Sequence, residues 1–280
     1  MRRVFPEAAW PESWKYSYAY DLEEVYGEVD NRGYAYAYEN RRRQTLRLLN
    51  ESVAPGARVL DVAAAQGNFS LALAELGYRV TWNDLRGDLA DYVRLKHECG
   101  EIDYAPGNAF ELAFPQPFDA VLITEIIEHV AHPDEFLAKT ATLVRPGGCI
   151  VMTTPNGQYV RNTLPRFSDC ADPSAYESAQ FKPDADGHIF LLHPDEVHTL
   201  AARAGLVVEE LALFTNPLTN GHMKLGHLLK AIPPRVVSRV EAFTQRIPHS
   251  WRRRLLVHMG VRLRKPEAAG RGPCSPIVRD

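Results

Sequence analysis

The sequence predicts an α/β chain with a doubly wound, mostly parallel sheet, and three observations carry that prediction. From residue 58 onward short apolar runs alternate with helical stretches, the pattern of βαβ units. Residues 59–84, VLDVAAAQGNFSLALAELGYRVTWND, read as an apolar strand ending in Asp61, a turn of very small residues, a helix, and a second strand ending in Asp84. Finally, 280 residues at 45% hydrophobic composition bury one large domain with extensions, while no apolar run approaches the roughly 20 residues of a membrane span.

The elements follow in chain order. Residues 1–40 form an aromatic leader in which seven of the 12 tyrosines fall between Tyr16 and Tyr38, suiting either a lid over a substrate or a wrapper over the core. ENRRRQTLRLLNESV at 39–53 has helical periodicity and passes through Pro55-Gly56 into the first strand. Strands are expected at 58–63, 78–83, 102–105, 118–124 and 148–154, with helices at 68–76, 87–98 and 133–144. Residues 155–190 are too long and irregular for a routine connection and form a candidate substrate-binding insertion. A helix at 193–205, a strand at 206–213, a helix within PPRVVSRVEAFTQRI and a last antiparallel edge strand in LLVHMGVRLRKP complete the extension. Residues 41–265 are expected to form the main domain and 266–280 a flexible tail.

The net charge of −3 hides an asymmetry, because residues 230–280 carry 12 Lys/Arg against 3 Asp/Glu, leaving 20 against 32 for the rest. Such a basic end suits a solvated face, intramolecular docking on the acidic body, or a peripheral contact for anionic membrane, nucleic acid or an acidic partner. Cys99, Cys149, Cys170 and Cys274 contain no C-x-x-C pair, so reduced thiols are expected, with Cys149 packed in a strand. Met1-Arg2-Arg3 is followed by Val-Phe-Pro-Glu rather than an apolar segment, which makes the cytoplasm the expected compartment.

The turn after the first strand restricts the ligand. Dinucleotide fingerprints need G-x-G-x-x-G, whereas this turn is Ala63-Ala64-Ala65-Gln66-Gly67, so hydride chemistry is disfavoured. Small side chains still let backbone approach an adenosine, and Asp61 suits the ammonium group of a cationic aminoacyl sulfonium. That chemistry belongs to S-adenosylmethionine.

Three blocks, VLDVAAAQGNF, FDAVLITEIIEHVAHPDEFL and LVRPGGCIVMTTPN, resemble the class I S-adenosylmethionine-dependent methyltransferases over about residues 40–265. TNPLTNGHMKL at 215–225 is similar to a stretch in the ubiquinone-biosynthesis O-methyltransferases. The resemblance implies a seven-stranded Rossmann-like sheet with the cofactor across the carboxyl ends of the first two strands. It implies that Asp61, Ala63, Ala65 and Gly67 line the methionine part, Asp84 binds the ribose, and Asn108 meets the adenine edge. The same correspondence adds Asn68, Leu85, Ala109 and Thr124 to the cofactor contacts. Alanine replaces glycine at 63 and 65, which adds two methyl groups and is expected to forbid left-handed backbone there. Asn108 stands where Asp is frequent, and its amide can still accept from the adenine amino group.

Methyl transfer from a sulfonium needs alignment and exclusion of water, and a base only when the acceptor is a hydroxyl. His129 and His188 are the catalytic candidates: His129 follows the fourth strand, and an imidazole with a pKa near 6.5 suits a general base, the alternative role being a polar bracket. Glu125 and His129 are four residues apart with Glu128 between them, so the three, with His188, can converge on a divalent ion. The resembled ubiquinone-type enzymes and small-RNA 2'-O-methyltransferases hold Mg²⁺ or a similar metal with such a cluster. The remaining histidines have no spacing that singles them out, and Arg41-Arg42-Arg43 is a possible grip for a phosphate or carboxylate.

The expected activity is therefore O-methylation of a small molecule beneath a lid built from residues 10–40 and 155–190. Two rivals remain: an RNA 2'-O-methyltransferase with a metal site, disfavoured by the acidic body, and a non-catalytic scaffold retaining the fold.

Overall fold

A computed structural model describes residues 1–27, 32–180, 187–219, 229 and 232–267. Its centre is a seven-stranded sheet: β1 (Arg58–Val62), β2 (Arg79–Asn83), β3 (Glu101–Tyr104), β4 (Phe118–Thr124), β5 (Val144–Pro155), β6 (Val207–Phe214) and β7 (His258–Arg264). The strand order is β3-β2-β1-β4-β5-β7-β6, with β1 to β5 parallel and β7 antiparallel to both neighbours. Helices α1 (Glu12–Glu24), α2 (Arg32–Asn50), α3 (Asn68–Glu75), α4 (Leu89–Lys96), α5 (Pro133–Leu143), α6 (Pro194–Arg203), α7 (Pro234–Thr244) and α8 (His249–Leu255) surround it.

Side-chain alternation explains the layering. Leu60, Val121 and Ile150 join a core with Phe136, Leu137, Val197 and Leu200 of α5 and α6. Their immediate neighbours Val59, Leu122 and Val151 join a second core with Leu48, Leu49 and Leu73 of α2 and α3. Strands that are apolar on both faces have to be covered on both, which is why the central runs are continuously hydrophobic.

The last strand is antiparallel, as expected, but it lies inside the sheet rather than at its edge. Met259, Val261 and Leu263 are fully buried, and β7 pairs on both sides, with β5 and with β6. β6 takes the rim, where Val207 is 54% exposed. Arg262 and Arg264 of β7 pair with the rim acids Glu209 and Glu210 across the β7–β6 seam. Nothing divides the leader from the domain at residue 40, because α2 runs unbroken from 32 to 50.

The leader itself is folded. Trp10, Trp14 and Tyr18 gather around Tyr92 of α4, with edge-on ring contacts from Trp10 to Trp14 at 5.8 Å and to Tyr92 at 5.7 Å. Beneath them Lys96 Nζ meets Asp21 Oδ2 at 2.6 Å, both side chains being fully buried. Tyr92 Oη and Asn68 Nδ2 also donate to Asp21, and Lys96 donates to Asn68. Burial lowers the Lys96 ammonium despite its partner. Each polar atom of this group is matched, so α1 is fastened over the carboxyl ends of the strands. Cys149 is a buried thiol in β5, and Cys99 and Cys170 are likewise free. Among the described residues no helix is long and apolar enough to cross a membrane.

Candidate functional site

The turn between β1 and α3 is the site's floor. Ala63 and Ala65 adopt left-handed backbone, with φ of 53° and 48°, contrary to the expectation that alanine forbids it. Surrounding bonds hold the strained shape: Ala64 N donates to Asn83 O at 2.8 Å, Ala65 N to Asp84 Oδ2 at 2.9 Å, and Trp82 Nε1 to Ala65 O at 3.1 Å. Strain of about 1–2 kcal/mol per residue is thereby over-determined by β2 and the residues after it.

Two sequence-derived cofactor residues fall outside the cavity over this turn. Asp61 is buried behind it, where Oδ2 accepts from Ser70 Oγ at 2.6 Å and Oδ1 has no hydrogen-bond partner. Burial pushes its carboxyl up to about 7, against the lowering effect of Ser70. Asp61 therefore supports the turn from below, since the side chain of a β1 residue at this register points into the layer under α3. Gly67, at φ 73°, is required by packing: a Cβ there would lie 2.7 Å from Val93 Cγ2.

The other expected residues surround a cavity of about 770 Å³, which has Ala63, Ala65, Asn68, Asp84, Leu85, Asn108, Ala109 and Thr124 in its wall. Asp84 is nearly buried and accepts four bonds, from Ala65 N, Arg86 N, Arg86 Nε at 3.0 Å and Arg86 Nη2 at 3.2 Å. Arg86 is half exposed, so it is the movable member of the set. Asn83 Nδ2 ties the loop after β3 to the floor through Ala105 O and Gly107 O, and Asn108 Oδ1 accepts from Phe110 N at 3.1 Å.

A second cavity, about 840 Å³, lies alongside and shares with the first the residues Tyr16, Glu24, Arg41, Ala65, Gln66, Arg86, Glu125 and His129. The rest of its wall includes Tyr20 and Tyr34 of the leader, Glu128, Asn156, Tyr159, Asn162, His188 and His258. The leader and the described part of the insertion both contribute to the walls.

At the junction Arg41 Nη1 stands 3.3 Å from Glu125 Oε2, and its guanidinium caps the Tyr38 ring at 5.3 Å. His258 Nε2 approaches the same Glu125 oxygen at 3.8 Å and stacks on Phe214. Burial alone would raise Glu125, but Arg41 and His258 bring its carboxyl below the ordinary value. Glu24, held by Tyr34 Oη at 2.6 Å, is raised by burial. Arg42 and Arg43 turn instead toward Glu39 and Asn40 of their own helix.

Glu128, His129 and His188 converge, with one ligand atom from each lying within 4.8 Å of the others. Glu125 does not join them. It has φ 52°, and Ile127–His129 tighten into a 3₁₀ turn, so the four-residue helical spacing that would align Glu125 with His129 is absent. Glu128 is fully buried and raised far above its ordinary value, by burial first and by Glu125 second. Its Oε2 accepts from Thr154 Oγ1 at 2.9 Å, while Oε1 is buried without a hydrogen-bond partner. The two imidazole rings meet edge to face at 4.8 Å. An orphaned buried carboxylate oxygen beside two imidazoles fits the donor set of a divalent cation.

Sequence reasoning missed Glu24, Arg86 and His258. His258 lies 133 residues beyond Glu125 and meets it only because β7 enters the sheet beside β5. His222 and His227 lie outside the described residues.

A family model described as a methyltransferase domain matches residues 34–211. A ubiquinone biosynthesis O-methyltransferase of Xanthomonas campestris pv. campestris is 35% identical over 140 residues, covering 43% of this chain and 59% of that protein. One of Stutzerimonas stutzeri is 32% identical over 188 residues, covering 61% and 73%. The chain thus spans about 59% of the length of that Xanthomonas relative. The N-methyltransferase NodS from Bradyrhizobium japonicum WM9, solved with S-adenosyl-L-homocysteine, shares the fold with a TM-score of 0.53 at 15% identity, over 92% of this chain and 100% of that one.

Proposed function

The chain belongs to the methyltransferase-domain family, and from that premise we propose that it transfers a methyl group from S-adenosylmethionine to a hydroxyl of a small molecule. One observation carries the reading: two cavities share a wall, one floored by the small-residue turn and Asp84, the other containing the Glu128, His129 and His188 cluster. Methyl transfer needs two ligands brought into line at one point, and a shared wall is where such a meeting occurs. The relatives named as O-methyltransferases favour oxygen as the acceptor atom.

S-adenosylmethionine, when bound, supplies a methyl group on a cationic sulfur that leaves without protonation. Asp84 and Asn108 would hold the nucleoside end, and Arg41, the most buried cation of the cavity wall, would meet the carboxylate of the amino-acid end. Ala63 and Ala65 keep the floor low enough for close approach. Glu128, His129 and His188 would hold a divalent cation, which when bound lowers the pKa of an acceptor hydroxyl. Where no cation is bound, His129, which lies in both cavities, would instead receive the hydroxyl proton as the methyl transfers. Tyr16, Tyr20 and Tyr34 line the leader side of the second cavity and would shield the nucleophile from water once both ligands are bound.

The test incubates the protein with methyl-labelled S-adenosylmethionine and fractionated small-molecule extracts, with Mg²⁺ or with a chelator. Labelling of a small molecule that drops at least about 100-fold in His129→Ala is expected, the size of a lost general base or ligand. Label on RNA or on no acceptor would contradict the reading.

A further inference from the structure

Residues 232–255, which form α7 and α8 and the turn joining them, carry six arginines and a single acid. That acid, Glu241, is buried and spent inward, accepting from Thr215 N and from both Asn216 N and Nδ2. The outer surface is therefore wholly basic. It is also apolar in the wrong place for a solvated helix: Phe243 is 65% exposed, Trp251 64% and Val236 42%. Val236 and Phe243 are seven residues apart on one stripe of α7, with Arg239 between them, and Val237 and Glu241 face inward. Arg246 and Arg254 extend the charge along the turn and α8.

We propose that α7 and α8 are a docking surface for an anionic lipid bilayer, with Val236, Phe243 and Trp251 entering the interface and the arginines contacting the headgroups. Charge complementarity selects this partner. A nucleic acid would use the arginines and leave Val236 with no role, whereas an interfacial amphipathic helix uses both, and Trp settles at headgroup depth. The surface is coupled to the second cavity. Asn156 Nδ2 donates to Arg253 O and Leu256 O, Val160 N to Arg254 O, and Arg253 Nε to Gln158 Oε1, so α8 is fastened to the segment that lines that cavity. A docked α8 brings the acceptor cavity to the lipid boundary.

Sedimentation of the full chain with vesicles tests this without turnover, so its outcome is independent of the cofactor reading. Vesicles of phosphatidylcholine with phosphatidylglycerol should retain the wild type, and phosphatidylcholine alone should not. Each arginine contributes about five-fold, so the triple variant R235Q/R239Q/R246Q should partition about 100-fold less. The double variant F243S/W251S should lose about ten-fold or more at unchanged charge. All these side chains are exposed, and unchanged melting curves verify the fold. Failure of the wild type to bind the anionic vesicles, equal binding by F243S/W251S, or retention of the wild type by single-stranded RNA in preference to the vesicles would each overturn the proposal.

Discussion

Asp61 and Asp84 sit at the ends of neighbouring strands, both nearly buried, yet their surroundings assign them opposite tasks. Asp84 is saturated with donors, two of them backbone amides, and its carboxylate faces the cavity. Asp61 has one hydroxyl and an unpartnered oxygen, faces away from the cavity, and has its carboxyl pushed up to about 7. An acid at a strand end is thus not enough to identify a ligand contact; the number and origin of its donors decide.

The largest expected effect concerns the ion pair that holds the roof over both acids. Lys96→Met leaves Asp21 charged and buried and should cost about 3–5 kcal/mol in a denaturant melt. The double variant D21N/K96M should recover most of that loss, because no uncompensated charge remains.

Asp61 gives the comparison a pH signature. Its folded carboxyl is raised from 3.8 to about 7, so between those values the folded state holds a proton that the unfolded state has released. Its contribution is therefore fully present below pH 3.8 and is lost as pH rises to about 7. Asp61→Asn should gain in melting temperature relative to wild type across that window, and a difference that does not vary with pH would contradict the assignment.

Smaller again is the strain in the floor. Ala63→Gly and Ala65→Gly remove about 1–2 kcal/mol of left-handed backbone cost each, partly offset by the greater freedom of glycine in the unfolded chain. Each variant should melt at or slightly above the wild-type temperature, where an ordinary Ala→Gly change would lower it. The smallest effect belongs to Arg86. Four donors fill the four acceptor positions of Asp84, so a ribose hydroxyl has to displace the half-exposed guanidinium. Arg86→Ala should therefore bind S-adenosylhomocysteine about two- to five-fold more tightly, the value of one exposed ion pair.

The same contrast explains what the sequence made legible. Strand, turn and helix from 58 to 84 depend on neighbours close in the chain, so their pattern predicts both the fold and the cavity floor. The roof and the second cavity do not. Glu24 reaches the site because Asp21 is tied to Lys96, and His258 because a late strand enters between β5 and β6. Glu125 departs from the cluster because the chain makes a left-handed turn at a position where helical spacing would align it with His129. At the alanines, likewise, the residue's own backbone preference yields to hydrogen bonds with Trp82 of β2 and with Asp84 just after it.

The most direct measurement of the central claim is calorimetric titration of S-adenosylhomocysteine into the wild type and into Asp84→Ala. The account predicts one molecule bound per chain in the wild type and binding at least about ten-fold weaker in the variant, which has lost a charge-assisted hydrogen bond. A folded wild type that evolves no heat of binding, or an Asp84→Ala variant of unchanged affinity, would contradict it.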